Sequence, residues 1–167
     1  ATRAMLDFVS SLRPADCCLV PERRAELTTE GGLDVAANLP ALQEYCSALK
    51  EQGIRVSLFI DADHRQIEAA AASGAPVIEI HTGHYADAPS RDLATQELQK
   101  IRTAVRLAMD LGLVVHAGHG LNYHNVQAIT AISGIRELNI GHAIIARALF
   151  QGLGPAVREM KRLMNPG

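Results

Sequence analysis

The sequence predicts an α/β fold in which strand and helix alternate along a single chain. Three observations lead there. Five short apolar runs are each followed by a segment with helical spacing. The runs are nearly continuous in apolar residues, the pattern of parallel strands buried on both faces. Three of them end in His and Gly: Val77-Ile78-Glu79-Ile80-His81-Thr82-Gly83-His84, Val114-Val115-His116-Ala117-Gly118-His119-Gly120 and Leu138-Asn139-Ile140-Gly141-His142. Parallel folds gather functional groups at the carboxyl ends of their strands.

The chain opens on a helix over Ala1–Leu12, with Met5, Phe8, Val9 and Leu12 on one face. It has no initiator Met and no strand before that helix, which reads as a processed start or a piece of a larger chain. The first strand is Asp16–Pro21. Its helix comes late, from about Asn38, with Leu42, Tyr45, Cys46 and Leu49 on one face and Gly53 as the stop. The second strand is Arg55–Asp61. Asp63 then caps a helix with Gln66 three residues on, a capping-box pattern, and Gly74 ends it. The third strand, Pro76–His81, leads to a helix over Asp92–Asp110 with Leu98, Ile101, Val105 and Ala108 inward and Gly112 after it. The fourth, Leu113–His116, precedes a helix from about His124. The fifth, Glu137–Ile140, precedes helices over Ala143–Phe150 and Pro155–Met164. Right-handed crossovers join such units into a parallel sheet. Two architectures fit: an open doubly wound sheet, or the last five units of a (β/α)8 barrel, whose usual length is ~250 residues.

At 167 residues, 48% hydrophobic and 20% charged, the chain is long enough for a single domain spanning 1–167 with a real core. A net charge of −2 gives no reason to expect nucleic acid or an anionic membrane as partner. No apolar run approaches the ~20 residues that span a bilayer, and no signal peptide opens the chain. Cys17, Cys18 and Cys46 lack metal-ligand spacing, which reads as a reducing, cytosolic compartment.

The strand ends supply Asp61, Glu79, His81, His84, His116, His119 and His142, and six of the seven histidines, His124 included, lie at or just after a strand end. Core packing would have scattered them over helices too. Gly118, Gly120 and Gly141 let backbone N–H groups approach an anion, and the next helix N-terminus adds a favourable dipole. Tight turns are the plainer reading, but in barrels the last two loops often hold phosphate. His119, between two glycines, is placed to move a proton at neutral pH, since a histidine ordinarily titrates near ~6.5. A hydrogen-bonded structural histidine is the alternative. Glu79 interrupts an apolar strand, and a buried carboxylate needs a partner or shifts its pKa upward. It is a catalytic or ligand-binding group, or half of a buried ion pair. His81 with His84 and His116 with His119 invite a zinc reading, yet neither pair meets a familiar zinc spacing. Glu22–Asp34 is long for a strand-to-helix loop. Its Arg23, Arg24, Thr28 and Thr29 either meet an anion or form a solvated face.

Taken together, LVPERRAELTTEGGLDV, VSLFIDAD, IEIHTGHYAD, AGHGLNYHNV and ELNIGHAII resemble the pyridoxine 5′-phosphate synthase family, over essentially the whole chain. The resemblance implies a (β/α)8 TIM barrel, of which this chain holds the last five β/α units with the first three strands absent. It also implies a cytoplasmic homo-octamer of the vitamin B6 pathway. The implied reaction condenses 3-amino-2-oxopropyl phosphate with 1-deoxy-D-xylulose 5-phosphate, giving pyridoxine 5′-phosphate, phosphate and water, with no redox cofactor and no metal. Carried over by motif, His119 is the proton donor and Glu79 stabilises a transition state. Gly120, Gly141 and His142 match the aminoketone-phosphate site, and Thr28 matches a contact to the deoxyxylulose phosphate. His84 and His116 flank motif positions without a role. The family's Asn-x-Asp-His and His-x-Arg motifs and a catalytic Glu belong to the absent strands, so the chain alone is expected to be inactive. Two rivals stay open: another phosphate-binding (β/α)8 lyase or isomerase, and a non-catalytic phosphate-binding or assembly module.

Overall fold

Five strands, β1 (Asp16–Leu19), β2 (Arg55–Ile60), β3 (Val77–His81), β4 (Val114–Gly118) and β5 (Ile135–Asn139), pair in parallel in the order β1-β2-β3-β4-β5. They come from a computed structural model that describes residues 2–21 and 31–165. Each strand lies beside its predecessor, so the sheet has no point where the winding reverses. A doubly wound sheet requires such a reversal. Consecutive order is the winding of a TIM-barrel-like α/β fold.

Eight helices accompany the strands among the described residues: α1 (Arg3–Leu12), α2 (Leu39–Glu51), α3 (His64–Ser73), α4 (Gly83–Ala86), α5 (Arg91–Asp110), α6 (Val126–Thr130), α7 (His142–Gln151) and α8 (Leu153–Met164). Local chemistry sets several of their ends. Thr2, Asp63 and Ser90 accept backbone N–H bonds at the starts of α1, α3 and α5. Gly74 ends α3 in the left-handed region at φ 84°. The expected capping box at α3 forms only by half. Gln66 does not return a bond to Asp63. Its Oε1 instead accepts from the N–H groups of Val35 and Ala36 at 2.8 and 3.1 Å, and its Nε2 donates to Asp34 at 2.9 Å. These groups lead into α2, whose N-cap Asn38 makes no side-chain capping bond to the helix, so Gln66 ties one unit to the next. The short α4 escapes periodicity, because four residues barely complete one turn. α6 begins two residues later than His124. Asn125 accepts from the Asn122 N–H at 2.7 Å and Asn122 from the His124 N–H at 2.8 Å, which holds a side-chain turn in place of a helix start.

The helix-facing side of β2 to β4 is buried, and the opposite side is buried at Val77, His81 and His116 but half-open at Ser57, Phe59 and Glu79. Val56, Leu58 and Ile60 of β2, Ile78 and Ile80 of β3, and Val115 and Ala117 of β4 pack against Leu42, Leu49, Ile67, Ile101, Val105 and Ala108 of the helices. Burying each such side chain contributes ~1.5–3 kcal/mol. The alternate positions face the other way: Asp16 and Cys18, Arg55, Ser57 and Phe59, Glu79 and His81, His116, Glu137 and Asn139. Most of these are polar, so the strands resemble apolar runs only along their helix-facing half. Asp16 and Arg55 pair across β1 and β2 near its amino end. No helix among the described residues is long and apolar enough to cross a membrane.

Candidate active site

The carboxyl ends of β2 to β5 converge on a cleft of about 760 Å³ lined by Phe59, Glu79, His119, Gly120, Asn139, Gly141 and His142. Val20, Pro21 and Gly31 line it as well. Glycine is obligatory at position 32. A Cβ there would collide with the backbone of Ile60 and Asp61, because Leu33 N–H bonds to Phe59 O at 2.7 Å and draws the chain across the end of β2. Thr28 lies outside the described residues, as do Arg23, Arg24 and Thr29.

Glu79 points from β3 toward β4 and β5. Its Oε2 accepts from Asn139 Nδ2 at 2.9 Å and, more weakly, from Cys18 Sγ at 3.9 Å. Burial raises its carboxyl above the ordinary glutamate value. The Asn139 bond opposes that rise, the Glu137 charge adds to it, and Cys18 and His81 oppose it. Gly118, read from sequence as a phosphate-cradling turn, lies within β4. A Cβ there would collide with Glu79 Oε1 and sit 3.1 Å from Asn139 O. Its missing side chain makes room for the carboxylate. Desolvation dominates at Cys18 even though the residue borders the open face. It pushes the thiol up to about 11, which leaves the S–H able to donate to Glu79.

His119 is one of two non-glycine residues with positive φ among those described, at 77°. Thr82, fully buried, holds that corner. Its hydroxyl lies 2.7 Å from Gly118 O and 2.5 Å from His119 O, and its N–H donates to Gly118 O at 2.8 Å. The imidazole is exposed to the cleft and meets the His81 ring edge-on at 4.8 Å between centroids, with Phe59 at 6.4 Å. Gly83 keeps these rings close, since a Cβ there would lie 2.5 Å from His81 Nε2 and 3.0 Å from His119 Cδ2. His81 itself is buried, and its Nδ1–H donates to Asp61 Oδ1 at 2.9 Å. That bond holds the Asp61 carboxyl below the ordinary aspartate value. His81 Nε2 meets no hydrogen-bond partner among the described residues.

Gly120 combines positive φ, at 75°, with a close approach to α4: a Cβ would lie 2.5 Å from Ala86 Cβ. Its glycine is explained by packing as well as by any anion. Gly141 differs. Its surroundings are open, and it caps α7 without a side-chain bond, so the first N–H groups of α7 face the cleft beside His142 and Ala143.

The structure therefore brings Glu79, His119, Gly120, Gly141 and His142 to one cleft. It separates the other strand-end groups. His116 is buried below the cleft, with Nδ1 3.5 Å from Glu137. Asp61, His81 and His84 offer ligand atoms within 4.8 Å of one another, bordering a neighbouring hollow of about 290 Å³. Asn139, Gly118 and Thr82 went unremarked as carboxylate and corner supports. Their signal lay in register, because Gly118 pairs with both His81 and Asn139.

Residues 1–166 match the family described as pyridoxal phosphate biosynthesis protein PdxJ. A curated relative, pyridoxine 5′-phosphate synthase of Pseudoalteromonas translucida (strain TAC 125), is 56% identical over 163 residues. That alignment covers 98% of this chain and 67% of the relative. The crystal structure of a xylose isomerase domain protein from Planctomyces limnophilus superposes with a TM-score of 0.55 at 14% identity. It covers 96% of this chain and 66% of that one, and the likeness is one of fold. The chain thus spans about two thirds of the length of either protein.

Proposed function

The chain belongs to the pyridoxal phosphate biosynthesis protein PdxJ family, and we propose that it carries the site of a pyridoxine 5′-phosphate synthase, an enzyme of vitamin B6 biosynthesis. The reaction joins 3-amino-2-oxopropyl phosphate to 1-deoxy-D-xylulose 5-phosphate and releases phosphate and water as the pyridine ring closes. The observation that carries this reading is convergence: Glu79, His119, Gly120, Gly141 and His142, drawn from three separate motifs, line one cleft.

In this proposal His119 donates the proton that lets a leaving oxygen depart. Glu79 stabilises positive charge that develops on the condensing amine-derived nitrogen, an electrostatic role that gains strength in a partly desolvated site. Gly120 and the exposed start of α7, with Gly141 and His142, receive the aminoketone phosphate. Thr28 contacts the phosphate of the deoxyxylulose substrate. No redox step occurs in this condensation, and no metal ion or redox cofactor enters the proposal.

The chain further represents, in this reading, five consecutive units of an eight-unit barrel forming one domain, in a cytoplasmic homo-octamer. The open sheet supports the barrel part of that reading. β1 and β5 each have one unpaired edge among the described residues, and Val20, just past β1, stays 51% exposed. On α7, Leu149 and Phe150 are 80% and 91% exposed. Three further units would pair both edges, as a closed barrel requires.

The test is product formation from the two substrates. Protein with all eight units forms pyridoxine 5′-phosphate, and the 167-residue chain by itself forms none. Lack of product from the complete protein would sink the functional reading. Turnover by the chain alone would sink the five-of-eight reading.

Gly118→Ala in the complete protein separates site from scaffold. The group that must move furthest is the flexible end of Glu79. Overpacking costs about 1–3 kcal/mol by urea denaturation, whereas kcat falls about a hundredfold because the carboxylate is displaced. Wild-type kcat in this variant would contradict the placement of Glu79.

A further inference from the structure

We infer that Asn139 is a positioning residue for Glu79: its amide N–H holds Oε2 and keeps the carboxylate turned into the cleft that His119 lines. The inference rests on the role proposed for Glu79 and goes beyond it, since Asn139 carries no part in the reaction as described above.

The geometry is specific. A carboxylate can only accept, so the Asn139 amide must present Nδ2 rather than Oδ1, at 2.9 Å. The bond crosses from β5 to β3 over β4, which is possible only because Gly118, paired with Asn139 in register, has no side chain between them. Three adjacent strands thus combine to aim one carboxylate. The remaining contact to Oε2, the Cys18 thiol at 3.9 Å, is too long to fix an orientation. Asn139 is therefore the principal restraint on that oxygen.

The groups facing Glu79 are few enough to make its titration readable. Cys18 comes from β1 and His81 from β3. His116 of β4 pairs in register with Glu79, and Glu137 and Asn139 come from β5. From β2, Arg55, Ser57 and Phe59 share that face, and Arg55 is paired with Asp16 of β1 at its far end. Among them the Asn139 bond is the strongest influence favouring the ionised form, against the burial that disfavours it. Removing the bond raises the carboxyl further.

The experiment uses the complete protein and compares kcat/KM against pH for wild type, Asn139→Ala, Asn139→Asp, Glu79→Gln and the Glu79→Gln/Asn139→Ala double variant. Asn139→Ala is expected to lose about tenfold in kcat/KM, with its acidic limb moved to higher pH. Asn139→Asp keeps the shape of β5 and sets a like charge beside Glu79, so its limb moves the same way and its rate falls at least as far. In the Glu79→Gln background, Asn139→Ala is expected to cost less than about twofold. If both Asn139 variants keep the wild-type limb while Glu79→Gln is inactive, Asn139 does not position the carboxylate. If Asn139→Ala costs as much in the Glu79→Gln background, its role is structural. If Glu79→Gln retains full activity, the reading of Glu79 itself fails, and this inference with it.

Discussion

Replacing His119 by asparagine in the complete enzyme lowers kcat by about 10²–10⁴-fold, the contribution typical of a positioned proton donor, while KM changes little. Asparagine is the informative substitution because of the backbone. His119 holds φ at 77°, a region that asparagine enters more readily than most residues. Alanine or glutamine would add strain there and confuse folding with chemistry. Asparagine also leaves the corner intact, since Thr82 binds the carbonyls of residues 118 and 119 and not the imidazole. What disappears is the ring that faces the cleft between His81 and Phe59. The melting temperature should therefore stay near wild type. A variant with kcat within tenfold of wild type would remove His119 from the mechanism.

The alternation of strand and helix was legible because each strand's helix-facing half is apolar and each helix repeats with its own period. Architecture was not legible in the strand and helix pattern alone, since strand order leaves no local mark, and it was the family resemblance that implied the barrel. Both candidate folds use the same units, and only the β1-to-β5 order excludes the doubly wound one. The half-open stretch of the second face was misread for a related reason. Ser57, Phe59 and Glu79 alternate with buried Leu58, Ile60, Ile78 and Ile80, but in runs this short a few polar residues look like interruptions rather than a second face.

At the site, the residues proposed to act on substrate stand out in sequence and those proposed to hold them do not. Glu79 was conspicuous because a charge inside an apolar strand is costly. Asn139 was inconspicuous because a polar residue at the end of an edge strand costs nothing. Its meaning depends on Gly118 lying between it and Glu79, a relation across three strands. Gln66 carries the same lesson. Its spacing from Asp63 predicted a local cap, and the structure uses it to hold a segment some thirty residues away in the chain, at Val35 and Ala36.

Glu79→Gln is expected to lower kcat by about 10²–10³-fold, the range found when one preorganised stabilising group is removed, and to do so without loss of stability. The two expectations share one cause. Burial raises the Glu79 carboxyl above its ordinary value of 4.5. A carboxyl raised on folding works against the folded state once ionised. Its unfavourable contribution is absent below the unfolded value and grows as pH rises from there through the folded value. At neutral pH the wild type therefore carries a carboxylate that its surroundings disfavour, tolerated because Asn139 binds it and Gly118 leaves it room. Glutamine keeps the length and can still accept from Asn139, but it brings no charge. The variant should thus be at least as stable as wild type at pH 7, and any advantage should fade as pH falls through the folded value toward 4.5. Its activity profile should lose the acidic limb that ionisation of Glu79 imposes. Parallel urea titrations and kcat measurements across that range test both halves. A Gln variant that is inactive and clearly less stable at pH 7 would mean that Glu79 serves the fold first. An active and equally stable one would leave the carboxylate without a task. Inactivity with stability intact or raised is the pattern of a group held at the cleft for its charge alone.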